Sequence, residues 1–409
     1  MYYICQVKSK LKILHINKFP SHKGGSETVL FDTIRLLKDR GHDVIFFATD
    51  EGEVVYNPTY TVHYPAKDSS VKEKISYLRS FFYNKEAAKK LEAILEVEKP
   101  DIVHIHLYLN GLSQSTLPVL RRYRIPVVMT LHDYRQICPS YLLMDRKSNI
   151  CEKCVDGNYL HCMFSRCSKG SFTESALLTM EMYFRRWVYP TEKYISRFVC
   201  VSRFQNEKNR QFNSAIASRS LVITNPVKIT EKISGKRGDY LLYFGRLSKE
   251  KGVLTLLTVM KALPGVKLKI AGTGDLLLGD LSVNVELLGY KSGEELKSLI
   301  EDAAYTVVPS EWYETFGLSC AESLSLGTPV IASQTGALPE LVKQGENGYL
   351  FTPKDAEDLK NTIEMAFELS DEEYYRMCVA ASESVRVFSE ENYIDKLLAL
   401  YNDLLTDEL

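Results

Sequence analysis

Short, mostly apolar runs alternate with longer stretches whose apolar positions recur every three or four residues, and this alternation continues along almost the whole chain. Runs at 11–16, 44–48, 102–107, 127–131 and 198–201 have the length and continuity of strands buried on both faces. Between the first two lie Pro20, Gly24 and Gly25, then Val29, Leu30, Thr33, Ile34 and Leu37 at helical spacing, with Gly41 as a stop. Strand, glycine loop, helix and strand make one βαβ unit. A helical stretch over 71–97 ends before Pro100 and leads into the next strand. Such alternation predicts a parallel sheet covered on both faces.

Polar segments at 214–220 and 230–239 flank a short apolar run at 221–223 and mark a domain boundary, after which the pattern restarts. Strands are expected at 240–244, 266–271, 285–288, 305–308 and 329–332. The expected division is an N-terminal Rossmann-like domain over 1–215, a second over 216–388, and a C-terminal helix over 389–409. In that helix Ile394, Leu397, Leu398, Tyr401, Leu404 and Leu405 share one face, which is expected to pack back on the N-terminal domain. The fold class is α/β, with two doubly wound domains.

A chain of 409 residues exceeds one ordinary hydrophobic core, and its 45% hydrophobic and 25% charged residues are the balance of a globular protein. With a formal net charge of −1 and no basic stripe joined to a nucleic-acid motif, nucleic acid is excluded as a partner. Residues 1–10 are mixed and charged rather than apolar, so no secretory signal is expected. No run approaches the ~20 apolar residues that span a bilayer, and the expected location is cytoplasmic.

Open α/β sheets bind ligands beyond the carboxyl ends of their strands, which directs attention to the loops there. Gly24, Gly25 and Ser26 follow the first strand at a helix start, where backbone N–H groups and the helix dipole suit an anion; an ordinary glycine turn capped by serine is the competing reading. Arg246 and Lys251 share the loop after 240–244, either as a diphosphate clamp or as a solvated charged loop. Glu314 and Glu322 follow the strand at 305–308. A helix starting near Gly317 puts Glu322 in its second turn and Glu314 in the preceding loop. Both carboxylates then face one crevice, able to accept hydrogen bonds from sugar or ribose hydroxyls.

The stretch from Glu311 to Glu322 resembles the glutamate-pair signature of the retaining glycosyltransferases of family 4, which have the GT-B fold of two Rossmann-like domains facing a central cleft. The resemblance extends over nearly the whole chain through Gly24-Gly25-Ser26-Glu27, Pro100-Asp101-Ile102-Val103-His104-Ile105-His106, Thr130-Leu131-His132-Asp133, Asn225-Pro226 and Gly245-Arg246-Leu247 with Lys251-Gly252. It continues through Ala271-Gly272-Thr273-Gly274, Gly327-Thr328-Pro329-Val330 and Glu346-Asn347-Gly348. The resemblance implies that Gly24 and Gly25 approach the donor phosphates, that Arg246 and Lys251 bind the diphosphate, and that Glu314 contacts the transferred sugar. It also implies that Glu322 holds the ribose, that backbone N–H groups at Phe316, Gly317 and Leu318 hold the donor, and that His132 stands beside the reacting sugar. By itself a histidine at a strand end reads as a satisfied structural group.

The implied activity is hexosyl transfer from a UDP- or GDP-sugar to a saccharide or lipid-linked saccharide, with retention, in cell-surface polysaccharide biosynthesis. No cofactor or divalent metal is required. A nucleotide-sugar epimerase and a non-catalytic scaffold with this fold are the alternatives.

A cysteine-rich insert over 138–167, assigned to the N-terminal domain, departs from the minimal pattern. Cys151 and Cys154 have zinc-ligand spacing, and Cys162 and Cys167 complete a candidate structural zinc site; reduced thiols without a ligand and redox chemistry compete with it. Cys5, Cys200, Cys320 and Cys378 stand singly and read as structural. From Tyr183 to Tyr189 aromatic and basic residues mix in a helical stretch. That suits lipid headgroups or a lipid-linked acceptor at the inner face of the plasma membrane; a helix packed on the domain with its arginines in water is the other reading.

Overall fold

The computed structural model describes residues 10–52, 54, 56–65, 71–231 and 233–406. Cys5 and the rest of 1–9, and the last three residues of the C-terminal segment, lie outside them. Two compact units emerge. The first comprises 10–141, Lys153–Pro226 and 393–406; the second comprises Leu142–Glu152 and Val227–Asn392.

The first unit is built on seven parallel strands: β1 (Lys12–Ile16), β2 (Asp43–Thr49), β3 (Tyr60–Val62), β4 (Ile102–Ile105), β5 (Val127–Leu131), β6 (Arg197–Cys200) and β7 (Ser220–Val222). Their order, β3-β2-β1-β4-β5-β6-β7, reverses direction between β1 and β4. One face packs Leu14, Ile16, Val103, Ile105, Val127 and Met129 under helices that include Lys85–Glu98 and Thr116–Tyr123. The opposite face packs Leu11, Ile13, Ile102, Val128 and Val199 against Leu37 of the helix Gly25–Asp39 and against Tyr393, Ile394, Leu397 and Tyr401 of the helix Glu390–Thr406. The C-terminal helix thus completes the core of the N-terminal unit, and Thr33 Oγ1 meets Tyr393 Oη at 2.7 Å there.

Six parallel strands form the second unit: β8 (Tyr240–Phe244), β9 (Lys267–Ala271), β10 (Val285–Gly289), β11 (Tyr305–Val308), β12 (Val330–Ser333) and β13 (Gly348–Phe351). Their order, β10-β9-β8-β11-β12-β13, again reverses between its first strand and the fourth. In each sheet the crevice at that reversal is where the topology leaves room for a ligand.

The structure corrects three expectations. The units divide at Pro226 and Val227 rather than at 215, because β7 pairs with β6 and so extends the first sheet. The helical stretch at 71–97 is two helices, Val71–Phe82 and Lys85–Glu98, since the buried Asn84 side chain caps the second by accepting from the backbone N–H groups of Glu86 and Ala87. Finally, the insert is shared between the units. Its residues 142–152 group with the second, where the Lys354 ammonium donates to Asn149 Oδ1 at 3.1 Å.

Candidate active site

In the second unit the loops after β8 and β11, the two strands flanking the reversal, are stitched together. The Glu311 N–H donates to the Glu250 carbonyl at 2.8 Å, and Thr255 Oγ1 donates to Glu311 Oε1 at 2.6 Å. Gly252 has φ 70°, and a Cβ there would lie 1.8 Å from the Pro309 carbonyl oxygen, so only glycine lets the loops approach this closely. The stitching brings Lys251 Nζ to 2.6 Å from Glu314 Oε1. Ser310 Oγ donates to the same oxygen at 2.5 Å, and the Lys251 ammonium lies 5.4 Å from the Trp312 ring centroid.

Glu314 is buried. Burial by itself raises a carboxyl pKa, but the Lys251 ammonium, joined by the hydrogen bond from Ser310, outweighs it and holds the group below the usual carboxylate range. Its backbone is fixed from behind: the Ala337 N–H donates to the Glu314 carbonyl at 2.9 Å, and a Cβ on Gly336 would lie 2.3 Å from the Glu314 nitrogen. Arg246 is about half exposed and pairs with Glu250 Oε1 at 3.1 Å, so it stands at the loop's solvent edge.

The helix Leu318–Ser325 starts at Gly317, whose φ of 97° is left-handed, and no side chain caps it. Its first N–H groups therefore have no side-chain cap, an arrangement that suits an anion. Phe316 is buried edge-on to Phe388 at 5.6 Å, which anchors the turn, and Glu322 is half-buried on the helix. Lys251, Glu314 and the Phe316–Leu318 turn are thus neighbours, with Arg246 at the rim.

In the first unit the helix Gly25–Asp39 begins at Gly24 without a side-chain cap. Ser26, instead of capping the helix, donates from Oγ to Glu27 Oε2 at 2.9 Å, and burial pushes the Glu27 carboxyl up. His132 follows β5, half-buried, with its Nε2 2.8 Å from His106 Nδ1. Burial pushes its imidazole down to about 4, with Arg135 adding to this and Asp133 opposing it. Sequence reasoning had not singled out the histidines behind it. His15, His104 and His106 are all buried, and their ligand nitrogens lie within 4.8 Å of one another. The signal was present: on one face of the sheet each strand ends in polar residues, as Ile13 then His15, Ile102 then His104 and His106, and Val128 then Thr130 and His132.

Among the candidate zinc ligands, Cys154 and Cys162 are buried with Tyr159 and Met182, and Cys167 packs against them. Cys151 falls in the segment grouped with the second unit. Among the described residues, His15, His104 and His106 form a group whose ligand atoms converge. The single cysteines Cys200, Cys320 and Cys378 are buried, and burial pushes all three thiols up.

The reading of the segment from Tyr183 to Tyr189 with its arginines in water is corrected for one of them. Arg185 is buried and bonds Glu181 Oε1 at 3.2 Å and Gln136 Oε1 at 2.7 Å, holding the helix Phe172–Val188 to the domain. Arg186 and Trp187 remain exposed, and Trp187 stacks on Tyr183 at 4.7 Å. No helix among the described residues is long and apolar enough to cross a membrane.

Two family models match in tandem: Glycosyltransferase Family 4 over residues 23–231 and Glycosyl transferases group 1 over residues 228–385. An uncharacterized glycosyltransferase of Methanocaldococcus jannaschii is 28% identical over 68% of this chain and 69% of its own length. An uncharacterized 42.6 kDa protein in the cps region of Klebsiella pneumoniae is 24% identical over 87% of this chain and 92% of its own. A glycosyltransferase from Rickettsia africae has the same fold, with a TM-score of 0.68 at 18% identity over 98% of this chain and 100% of that one. The Anabaena protein HepE, solved in complex with UDP and glucose, follows with a TM-score of 0.65 at 18% identity over 95% and 99%. With one model spanning half of the chain and a second taking up where it ends, the chain belongs to glycosyltransferase family 4.

Proposed function

We propose that this glycosyltransferase moves a hexosyl group from a UDP- or GDP-sugar to a saccharide or lipid-linked saccharide, with retention at the anomeric carbon, in the assembly of a cell-surface polysaccharide. The observation that carries the reading is the Lys251–Glu314 pair at the sheet reversal, beside an uncapped helix start. A nucleoside diphosphate needs cations and N–H donors, and a sugar needs a carboxylate acceptor; the two loops supply both. HepE binds UDP and UDP-glucose on the same fold.

In this reading Lys251 and Arg246 bind the diphosphate with Gly24 and Gly25. Glu314 contacts the sugar, Glu322 the ribose, and His132 the reacting end of the sugar. The bond between the anomeric carbon and the diphosphate oxygen breaks as the acceptor oxygen bonds the same face of that carbon. The acceptor's proton passes to the departing phosphate. Charge on the leaving group is met by Lys251 and Arg246, so turnover is expected to withstand EDTA.

The test is a thermal-shift series with UDP, GDP, ADP and CMP. A ligand at ~100 times its Kd stabilises by about 2.7 kcal/mol, so one nucleotide should raise the midpoint clearly. No shift from any of them at millimolar concentration would refute the donor reading.

We also propose that the helix Phe172–Val188, with the end of the insert packed on it, rests on an anionic membrane surface, where a lipid-linked acceptor is found. Trp187, Phe164 and Met180 are 72%, 69% and 59% exposed on two helices that pack together, and Arg166, Lys169 and Arg186 are exposed around them.

A further inference from the structure

His15, His106 and His132 form a chain in the first unit. His15 Nδ1 lies 3.2 Å from His106 Nε2, and His106 Nδ1 lies 2.8 Å from His132 Nε2. The far nitrogen of the chain, His15 Nε2, is buried with no hydrogen-bond partner. His104 stands beside the chain, with Nδ1 2.6 Å from Tyr401 Oη and Nε2 2.8 Å from Thr130 Oγ1, so both its nitrogens are engaged. A metal bound by the cluster would have to break those bonds.

A neutral imidazole has one N–H and one acceptor nitrogen. Three neutral imidazoles joined by two contacts therefore have only two consistent arrangements. In the first, His132 donates from Nε2 to His106, His106 donates from Nε2 to His15, and His15 is left with an N–H on its orphaned Nε2. In the second, every donor is reversed: His15 Nδ1–H donates to His106, His106 Nδ1–H donates to His132 Nε2, and the orphan is a lone pair. Buried N–H groups without an acceptor are rarer in proteins than under-satisfied acceptors.

We propose that His15 and His106 are positioning residues that hold His132 as the Nδ1–H tautomer, so that it meets the reacting sugar as a hydrogen-bond donor and not as a base. This deepens the proposed function and rests on it for the role of His132, whereas the tautomer itself does not. Neutral imidazole donors serve as electrophiles in proton-transfer enzymes, and here the departing phosphate already takes the acceptor's proton.

Long-range nitrogen–proton NMR on the full chain labelled with 15N-histidine reads the tautomer directly. The expected result is a protonated Nδ1 and a bare Nε2 on His132, unchanged in His15→Asn, whose amide can still donate from the Nδ1 position. In His15→Leu, which cannot, the His132 signals should report a changed or mixed tautomer. kcat is then expected to fall about tenfold or more while the nucleotide thermal shift stays intact. Nε2–H on His132 in the wild-type chain, or an unaltered His132 pattern in His15→Leu, would overturn the proposal. So would a shift of the His15, His104 and His106 signals together on adding stoichiometric zinc. A chain that shows the expected tautomers but no glycosyl transfer would fail only the functional reading.

Discussion

Both units are doubly wound sheets, and both collect buried ionisable groups at the carboxyl ends of the strands beside the reversal, yet burial has opposite results in the two. In the first unit it strips charge: burial pushes His15 down to about 3 and, against the opposing pull of Asp133, His132 to about 4. In the second the Glu314 carboxylate is as deeply placed but keeps its charge, because Lys251 touches it at 2.6 Å. Depth alone therefore says little about charge; the partner decides it. At these strand ends the first unit holds a chain of neutral imidazoles and the second a lysine–glutamate ion pair.

The comparison breaks most sharply at the pair. Lys251→Ala leaves Glu314 buried without its counter-charge, and turnover should fall by about 10³-fold. Losing one partner of a buried pair costs about 3–5 kcal/mol. Lys251 is 25% exposed, so the loss here belongs at or below the lower end. Glu314→Gln removes the charge but keeps the shape, and should lower turnover by about 10²-fold with little loss of stability. The double variant Lys251→Met with Glu314→Gln should recover the melting temperature of the lysine variant's loss without recovering turnover. Wild-type rates in either single variant would remove both residues from the site.

Acid separates the units next. An unfolded chain protonates its histidines near pH 6.5, whereas the folded first unit holds His132 neutral down to about 4 and His15 to about 3. Their depressed folded pKa values mean that stability present at neutral pH is lost as pH falls from 6.5 toward those values, at up to ~1.4 kcal/mol per pH unit for each imidazole. Glu314, also depressed, contributes stability that is lost only below the unfolded carboxylate value of about 4.3. The two tryptophans, Trp187 and Trp312, fall one in each unit, so single Trp→Phe variants let urea melts follow each separately. Between pH 7 and 5 the midpoint reported by Trp187 should drop, while that reported by Trp312 holds. Parallel loss in both would refute the contrast.

Much of this was legible before the fold, and the exceptions have physical causes. The central strands were evident because strands covered on both faces must be apolar throughout, as at Val127–Leu131 and Tyr240–Phe244. β3, β7 and β13 were not named as strands because each is only three or four residues long at a sheet edge; the apolar run at 221–223 overlaps β7 but was read as part of the domain boundary. Lys251 and Glu314 were each named, but contact between positions 63 residues apart is set by sheet order. The histidine chain needed register as well: His15 and His104 are paired neighbours only because β1 and β4 are adjacent.

The smallest expected effect concerns the exposed face of the helix Phe172–Val188 in the first unit. Trp187→Glu places a charge where Tyr183 stacks on an exposed indole, beside Arg186. Flotation with vesicles containing an anionic lipid should show reduced binding, while turnover on a water-soluble acceptor should change less than about twofold, as for a surface substitution. The second unit supplies the control. On either side of β10 it also exposes apolar groups, Val283 and Tyr290, but a bilayer that selects the helix Phe172–Val188 for its cations should ignore Val283→Glu. Equal losses from the two substitutions would make the attraction a general apolar one. Unchanged flotation in both, or no flotation of the wild-type chain, would take the membrane out of the comparison and leave the aromatic face of that helix unassigned.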